Sequence, residues 1–280
     1  MTSINRRAKP LLGTFVEIGL RSGNAALFDM AFSRIEEVQQ LMSAHSVDSD
    51  LSKIARTAHH EWVTVHPSTA EVIRHSLKWA EASDAAFDPI RAGVELIHRG
   101  RRPWFMEELP DRNATWRDLE VDECHVRSTR PIALDLGGIA KGYAVDQAAE
   151  IIAGHGCDGI VNAGGDIRFI GNEERTAFIR KPDVAGGLLE LREIPLPALA
   201  TTASYVFPEE AANLDLIDSK AGGLVLPHIS ITVVAATCML ADAMTKVVLN
   251  LPADRAAVVL KRLDCHALLM ESGGPCREIP

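Results

Sequence analysis

Aromatic, basic and cysteine residues are scarce in this chain of 280 residues. Only 5% of the residues are aromatic, which disfavours the stacking surfaces that bind single-stranded nucleic acid. Lysine and arginine total 29 against 38 acidic residues, and the net charge of -9 argues against nucleic acid or an anionic membrane as a partner. The five cysteines include no C-x-x-C pair, which fits neither a disulfide framework nor a zinc site.

Long apolar runs are also missing from the sequence. No run approaches the ~18 residues of a membrane span, and no secretory hydrophobic region follows the N-terminal arginines. The sequence therefore predicts a cytoplasmic protein, or a periplasmic one if a leader was removed. The chain contains 47% hydrophobic and 24% charged residues, a composition typical of globular proteins. A chain of this length and composition can bury a large hydrophobic core.

Apolar periodicity predicts strands and helices that do not alternate strictly. Residues 14–20 alternate like a half-buried strand, whereas residues 25–42 and 69–82 repeat apolar positions at helical spacing. Further predicted strands lie at 131–136, 159–163, 168–170, 176–179, 188–197, 199–207, 229–236 and 267–270, and further helices at 140–153, 241–249 and 252–263. This mixture predicts an α+β fold, with a single large domain over residues 10–272 and flexible termini at 1–9 and 273–280.

The densest chemical signal is the segment LDLGGIAKGYAVD at residues 134–146. It places a carboxylate at a predicted strand end, then two glycines, then a lysine that opens a helix. Glycines let backbone groups approach a phosphate or a metal ion, and a helix N-terminus favours negative charge. The segment is neither a Walker A nor a Rossmann motif, and on spacing alone a tight turn with solvated Lys141 and Asp146 explains it equally well.

Three other segments combine small and polar residues in the same way. They are AFDP at 86–89, NAGGD at 162–166 and ATTAS at 200–204. Each alone is explained more simply as a turn, a strand lined by hydroxyls or a helix end. Four such segments in one chain favour a site that holds an extended phosphorylated ligand through backbone groups.

Together these segments resemble the flavin transferase family, the FAD:protein FMN transferases. The resemblance runs in family order from Leu12 to about Leu251. Its pieces are LGTF at 12–15, MS at 42–43, SDLS at 49–52, AFDP, LDLGGIAKGYAVD, NAGGD, LATTASY at 199–205 and ADA at 241–243. The combination of LDLGGIAKGYAVD with NAGGD is highly specific to that family.

The resemblance implies a T-fold-like architecture, in which β-sheet layers are flanked by helices. It also implies Mg²⁺-dependent transfer of FMN from FAD to a Thr or Ser hydroxyl of an acceptor protein, with release of AMP. The positions at which the family contacts FAD are Leu12, His45, Ala86, Phe87, Asp88, Asp135, Lys141 and Ile217. The metal ion and Lys141 would neutralise a pyrophosphate and stabilise the charge that builds on the attacked phosphorus.

The implied Mg²⁺ ligands are the Gly138 carbonyl, the Asp242 side chain and, as a third candidate, Thr245. Here the sequence departs from the family pattern, which has Thr four residues after the Asp. That position is Lys246, and Thr245 comes one residue early, about 100° around a helix. Lys246 either forms a surface salt bridge with Asp242 or contributes an ammonium to the site in place of part of the metal's charge.

Two further departures concern the flavin and the acceptor. The flavin-contacting Tyr of the family is His45 here, whose imidazole can still stack or donate a hydrogen bond. The H-x-I-D-P-x-T-G element is reduced to LDLIDSKAG at residues 214–222. This leaves Asp218 as the candidate base that activates the acceptor hydroxyl, beside Asp242 and Lys246 as the other catalytic candidates.

Three hypotheses follow from these patterns. The first is an FMN transferase with an atypical metal site. The second is a protein that binds FAD but has only FAD pyrophosphatase activity or none, which the departures at Lys246 and His45 favour. The third is a structural domain whose glycine-rich segments have no ligand.

Overall fold

The computed structural model describes residues 4–22, 25–100, 108–172, 174–182, 187–204 and 229–279. Its elements confirm the predicted α+β fold. The chain divides into two compact units, and the first comprises Met1–Glu36, Lys141–Leu214 and Leu226–Pro280. The second comprises Glu37–Ala140 and Asp215–Val225. The domain boundaries at residues 10 and 272 stay a prediction.

Strands and helices are both numerous along the chain. The strands are β1 Asn5–Leu11, β2 Thr14–Leu20, β3 Val63–Thr64, β4 Leu119–Asp122, β5 His125–Ser128, β6 Gly159–Ala163, β7 Asp166–Ile170, β8 Ala177–Arg180, β9 Leu188–Leu191, β10 Ala198–Ser204, β11 Ile229–Ala235, β12 His266–Glu271 and β13 Arg277–Ile279. The helices are α1 Ala25–Leu41, α2 Asp50–Thr57, α3 Pro67–Ala82, α4 Pro89–His98, α5 Ala140–Gly154, α6 Cys238–Asn250 and α7 Ala253–Arg262. No helix among the described residues is long and apolar enough to cross a membrane.

The first unit is built on an antiparallel sheet with the strand order β1-β2-β6-β7-β10-β11-β12-β13. Its strand β2 illustrates the sequence pattern, because Val16, Ile18 and Leu20 are fully buried and alternate with more polar positions. Val16 lies opposite Ala163 of β6, which sets the register of this pair. The strands predicted at residues 14–20 and 159–163 are therefore confirmed.

The two faces of this sheet carry different layers. On one face, Leu199 of β10 and Ile167 of β7 pack in an apolar cluster with Ala177 of β8. Successive side chains of a strand point to opposite faces, so Thr202 of β10 lies on the other face, where its hydroxyl meets Thr245 of α6. This places α6 on the face away from the apolar cluster.

The second unit combines helices α2, α3 and α4 with a three-stranded sheet of order β3-β5-β4. Helices α3 and α4 both begin with proline at the first turn, where a missing N–H costs nothing. Gly93 of α4 lies against the backbone of Ala133, and a Cβ at this glycine would lie 2.4 Å from the Ala133 carbonyl oxygen. The close approach explains why this helix carries glycine in its interior.

The strand predicted at residues 131–136 is wrong. This segment is irregular, although Ile132, Leu134 and Leu136 are buried. The Asp135 N–H donates to the carbonyl of Pro89 at the start of α4 instead of to a neighbouring strand. The apolar run reflects burial against a helix, which periodicity alone does not distinguish from a buried strand.

The predicted flexible termini also need correction. Asn5–Leu11 pairs along its whole length with β2, and Arg277–Ile279 pairs with β12. Both are strands of the large sheet. Apolar periodicity does not indicate β1, because its side chains are mostly exposed and three of its seven residues are charged, as is common for edge strands. The pairing therefore depends on backbone hydrogen bonds.

Candidate active site

Two tight hairpin turns lie side by side at one end of the large sheet. The β1–β2 turn has positive φ angles at Leu12 (56°) and Gly13 (72°), and the β6–β7 turn has them at Gly164 (63°) and Gly165 (106°). Two consecutive positive φ angles are typical of a two-residue hairpin turn. A Cβ at Gly164 would lie 2.6 Å from Oγ1 of Thr14, so glycine is required where the two turns meet.

Helices α5 and α6 each supply a carboxylate to the first turn of the other. Asp146 of α5 accepts hydrogen bonds from the backbone N–H groups of Cys238 (2.9 Å) and Met239 (2.8 Å). In return, the Gly142 N–H of α5 donates to Oδ2 of Asp242 on α6 at 3.4 Å. A Cβ at Gly142 would lie 2.4 Å from the Cys238 carbonyl oxygen, so only glycine permits this spacing.

Four charged side chains meet at the sheet end and form what we call the charged cluster: Lys141, Asp166, Asp242 and Lys246. The Lys141 Nζ donates to Oδ2 of Asp166 and lies 3.6 Å from Oδ2 of Asp242. The Lys246 Nζ lies 3.1 Å from Oδ1 of Asp242. Both aspartates are 1% exposed, whereas the lysine side chains are 34% and 21% exposed. The lysine side chains are thus partly exposed, although their ammonium groups contact buried carboxylates.

Two threonine hydroxyls complete the surroundings of Lys246. Its Nζ lies 2.7 Å from Oγ1 of Thr202 and 2.9 Å from Oγ1 of Thr245. The Thr245 hydroxyl also donates to the backbone carbonyl of Asp242 at 2.7 Å. Thr245 is therefore directed at its own helix turn and at Lys246.

The charges of the cluster shift the pKa values of Asp166, Asp242 and Lys141. Burial raises the pKa of Asp166 to about 6, aided by repulsion from Asp242 and opposed by Lys141. Burial would also raise the pKa of Asp242, but the two ammonium groups outweigh it and hold that pKa below its ordinary value. Burial would lower the pKa of Lys141, which the two carboxylates raise instead. Lys141 is therefore charged at neutral pH.

The structure brings together four residues predicted for the site: Lys141, Asp242, Thr245 and Lys246. The contact between Lys246 and Asp242 is the predicted i,i+4 pair, but it is not a surface salt bridge, because Asp242 is buried. Leu12 lies in the hairpin turn at the same end of the sheet. Their roles in binding and catalysis stay predictions.

Three residues that contribute to the charged cluster or to the packing of its helices were not predicted from the sequence: Asp166, Thr202 and Asp146. Asp166 and Thr202 belong to the NAGGD and ATTAS segments, so the segments were identified but not the side chains that matter in them. The alternative of a solvated Asp146 is wrong, because this carboxylate is buried at the first turn of α6. The helical pairing that buries it is set by residues almost a hundred positions apart.

In the second unit, Asp88 serves as the cap of α4. Its Oδ1 accepts from the N–H groups of Ile90 and Arg91, both at 3.0 Å, and its Oδ2 accepts from Trp116 at 3.2 Å. Burial raises the pKa of Asp88, although these hydrogen bonds oppose the rise. Its neighbours Ala86 and Phe87 are buried. These contacts give Asp88 a structural role.

The other residues of the second unit that were predicted for the site and that the structure describes lie in turns or irregular segments. Asp135 accepts a hydrogen bond from the Gly137 N–H at 2.8 Å, and Gly138 lies in the turn that precedes α5. His45 is exposed, and its N–H donates to the Ser43 hydroxyl at 3.2 Å. Ile217 and Asp218 lie outside the described residues.

Sequence comparison connects almost the whole chain with one family. The sequence model of the ApbE family matches residues 12–269. The FAD:protein FMN transferase of Klebsiella pneumoniae is 26% identical over 278 residues, which cover 93% of this chain and 87% of the relative. The FAD:protein FMN transferase of Vibrio cholerae is 28% identical over 256 residues, which cover 84% and 76%.

Solved structures of similar proteins have the same fold. The ApbE protein of Thermotoga maritima superposes with a TM-score of 0.80 at 23% identity, covering 98% of this chain and 96% of that one. The flavin transferase ApbE of Vibrio cholerae also gives 0.80, at 22% identity, covering 99% and 97%. Given the match of the family model over residues 12–269, this chain belongs to the ApbE family.

Proposed function

We propose that this protein transfers FMN from FAD to a hydroxyl group of an acceptor protein and releases AMP. The charged cluster is the observation that carries the proposal. Lys141 and Lys246 have partly exposed side chains that place two ammonium groups beside tight glycine turns, an arrangement suited to the diphosphate of a dinucleotide. The reaction class is that named for the relatives of Klebsiella pneumoniae and Vibrio cholerae.

The transfer is a displacement at phosphorus. The hydroxyl oxygen of the acceptor forms a bond to the FMN phosphorus, while the bond from this phosphorus to the bridging oxygen breaks. AMP leaves with the bridging oxygen, and the hydroxyl proton passes to a base. Lys141 and Lys246 would stabilise negative charge on the phosphate oxygens in the transition state. Asp218 stays the proposed base.

The Mg²⁺ that the resemblance implies does not fit the contacts of two of its three expected ligands, Asp242 and Thr245. Oδ1 of Asp242 faces the Lys246 ammonium, and Oδ2 faces Lys141 and the Gly142 N–H. The hydroxyl of Thr245 donates to a carbonyl of its own helix. A divalent ion at Asp242 would have to displace these groups, so the transfer proposed here has no step through a metal ion.

Two further parts of the proposal concern the acceptor and the cell. The acceptor hydroxyl belongs to a Thr or Ser in a flavinylation motif of the partner protein, which is the acceptor chemistry that the family resemblance implies. The protein acts in the cytoplasm, as predicted from the sequence. Cell fractionation with immunodetection tests the location, and recovery with periplasmic proteins would contradict it.

The transferase proposal is tested by incubating the protein with FAD and an acceptor protein that carries a flavinylation motif. We expect the acceptor to gain the mass of one FMN group, with an equal amount of AMP, measured by intact-mass spectrometry and chromatography. Lys141→Met should abolish the gain, whereas Lys261→Met, at an exposed position of α7, should not. AMP without a modified acceptor would replace the proposal by FAD pyrophosphatase activity. FAD binding without either product would leave only a binding protein.

A further inference from the structure

The side chain of Lys246 ends among oxygen atoms. Its Nζ lies 2.7 Å from the Thr202 hydroxyl, 2.9 Å from the Thr245 hydroxyl and 3.1 Å from the Asp242 carboxylate. An ammonium group has three N–H donors and no acceptor, so each of these oxygens is within reach of one of its donors. Carboxylate and hydroxyl oxygens are also the ligands that hard cations take in proteins. The ammonium therefore occupies a position whose ligands suit a metal ion.

A divalent ion does not fit beside this ammonium. Mg²⁺ needs ligand oxygens at about 2.0–2.1 Å in a near-octahedral arrangement. An ion bound to Asp242 would lie next to the ammonium groups of Lys141 and Lys246, which already contact that carboxylate. Within the charged cluster only the carboxylates of Asp166 and Asp242 face these charges, so before a ligand binds the repulsion would not be compensated.

We propose that the Lys246 ammonium is the resident cation of this site and that FAD binds here without a divalent metal ion. The inference rests on the proposed function in taking FAD as the ligand. Lys141 and Lys246 face the diphosphate together, and the buried Asp242 fixes the distance between them. Lys246 is then a binding residue that contacts the ligand, and the family's Thr at this position belongs to a different, metal-containing arrangement.

The arrangement with Lys246 and the arrangement with Thr and a metal ion differ in the net charge of the charged cluster. With Lys246, two ammonium groups balance two carboxylates. The substitution Lys246→Thr leaves one ammonium and two carboxylates, a negative cluster that repels a diphosphate. It also frees an oxygen of Asp242 and adds a hydroxyl at i+4, which together permit Mg²⁺ to bind and make the cluster positive. FAD binding by Lys246→Thr is therefore expected to depend on Mg²⁺.

The test is a fluorescence titration of FAD with each protein, once in EDTA and once in MgCl₂. We expect the wild-type dissociation constants to agree within about twofold and those of Lys246→Thr to be at least about tenfold lower with Mg²⁺. Lys246→Met should bind weakly in both buffers, because methionine supplies neither charge nor a hard ligand. Lys261→Thr makes the same change of charge at an exposed position and should behave as the wild type.

The choice of metal matters for this test. His59, His60 and Glu108 of the second unit place three ligand atoms within 4.8 Å of one another. Imidazole favours transition metals, which could bind there and obscure the result, whereas Mg²⁺ prefers oxygen ligands. Mg²⁺ is therefore the probe.

The outcomes separate this inference from the transferase proposal. Wild-type FAD binding that tightens tenfold or more with Mg²⁺ overturns the inference, even if FMN transfer is observed. Metal-independent binding by Lys246→Thr at wild-type affinity also overturns it. Metal-independent wild-type binding without FMN transfer supports the inference and refutes the transferase proposal, and absence of FAD binding refutes both. If thermal unfolding shows that Lys246→Thr is not folded, the wild type and Lys246→Met decide the question.

Discussion

Two buried carboxylates, Asp242 in the first unit and Asp88 in the second, are satisfied by different kinds of partner. Asp242 contacts the ammonium groups of Lys141 and Lys246, whereas Asp88 accepts three hydrogen bonds from backbone amides. The cations hold the pKa of Asp242 below its ordinary value, but burial keeps that of Asp88 raised. Burial of an acid therefore does not by itself set the direction of its pKa shift, which depends on whether its partners are cations or backbone amides.

The largest expected effect is at Asp242. Asp242→Asn removes one of the two carboxylate charges that compensate the ammonium groups of Lys141 and Lys246, while nearly preserving the shape of the side chain. Breaking a buried ion pair from one side costs about 3–5 kcal/mol, and we expect about 3 kcal/mol because the lysine side chains are partly exposed. Urea unfolding at pH 7 measures it. A loss below about 1 kcal/mol would mean that the ion pairs contribute little.

The second prediction concerns Asp146 of the first unit. Its carboxylate accepts hydrogen bonds from backbone N–H groups, as that of Asp88 does in the second unit. Burial raises its pKa from 3.8 to about 6, so the folded protein holds this proton more tightly than the unfolded chain does. The free energy of unfolding of the wild type should therefore fall, relative to that of Asp146→Asn, as the pH rises from about 4 to about 7. The expected fall is about 3 kcal/mol. Parallel pH profiles of the two proteins, from urea unfolding, would contradict this.

The third prediction tests the spacing that brings Asp242 to the first turn of α5. Gly142→Ala places a methyl group 2.4 Å from the Cys238 carbonyl oxygen, so the helices must separate. We expect a loss of about 2 kcal/mol in the free energy of unfolding, typical of overpacking. Gly154→Ala, in the same helix but with open space around it, is the matched control and should gain up to about 1 kcal/mol. Equal effects at both positions would argue against the close approach.

The smallest effect is expected at Asp88. Asparagine is also a good N-cap, and its side-chain oxygen can still accept from Ile90 and Arg91. Its amide nitrogen cannot accept from Trp116, so Asp88→Asn should cost about 1 kcal/mol. Urea unfolding of this variant beside Asp242→Asn measures the comparison directly. A loss equal to that of Asp242→Asn would remove the distinction between a capping carboxylate and one paired with cations.

Local patterns predicted much of the fold. The alternation at residues 14–20 and the helical spacing of α1 each depend on neighbours in sequence, and both elements formed as expected. The segment at residues 131–136 did not form a strand, because its apolar side chains are buried by α4 and its backbone pairs with Pro89. The periodicity carries no information about which partner buries a residue.

The candidate site was also predictable only in part, because local patterns identify residues but not their partners in space. Motifs identified Lys141 and Asp242, and helical geometry predicted the contact from Asp242 to Lys246. The motifs did not identify Asp166, which is the partner of Lys141 in the NAGGD segment, or the hydroxyl of Thr202. Their contacts depend on how strands β7 and β10 and helix α6 are arranged in space, which no spacing within the sequence specifies.

The reciprocal contacts of α5 and α6 have a consequence for how the chain folds. They join residues that are 92, 93 and 100 positions apart, and closing loops of that length costs chain entropy before the contacts form. During synthesis, Lys141 emerges long before Asp242. The ammonium group therefore remains without that counter-ion until about a hundred further residues have been synthesised, and the charged cluster cannot assemble before then.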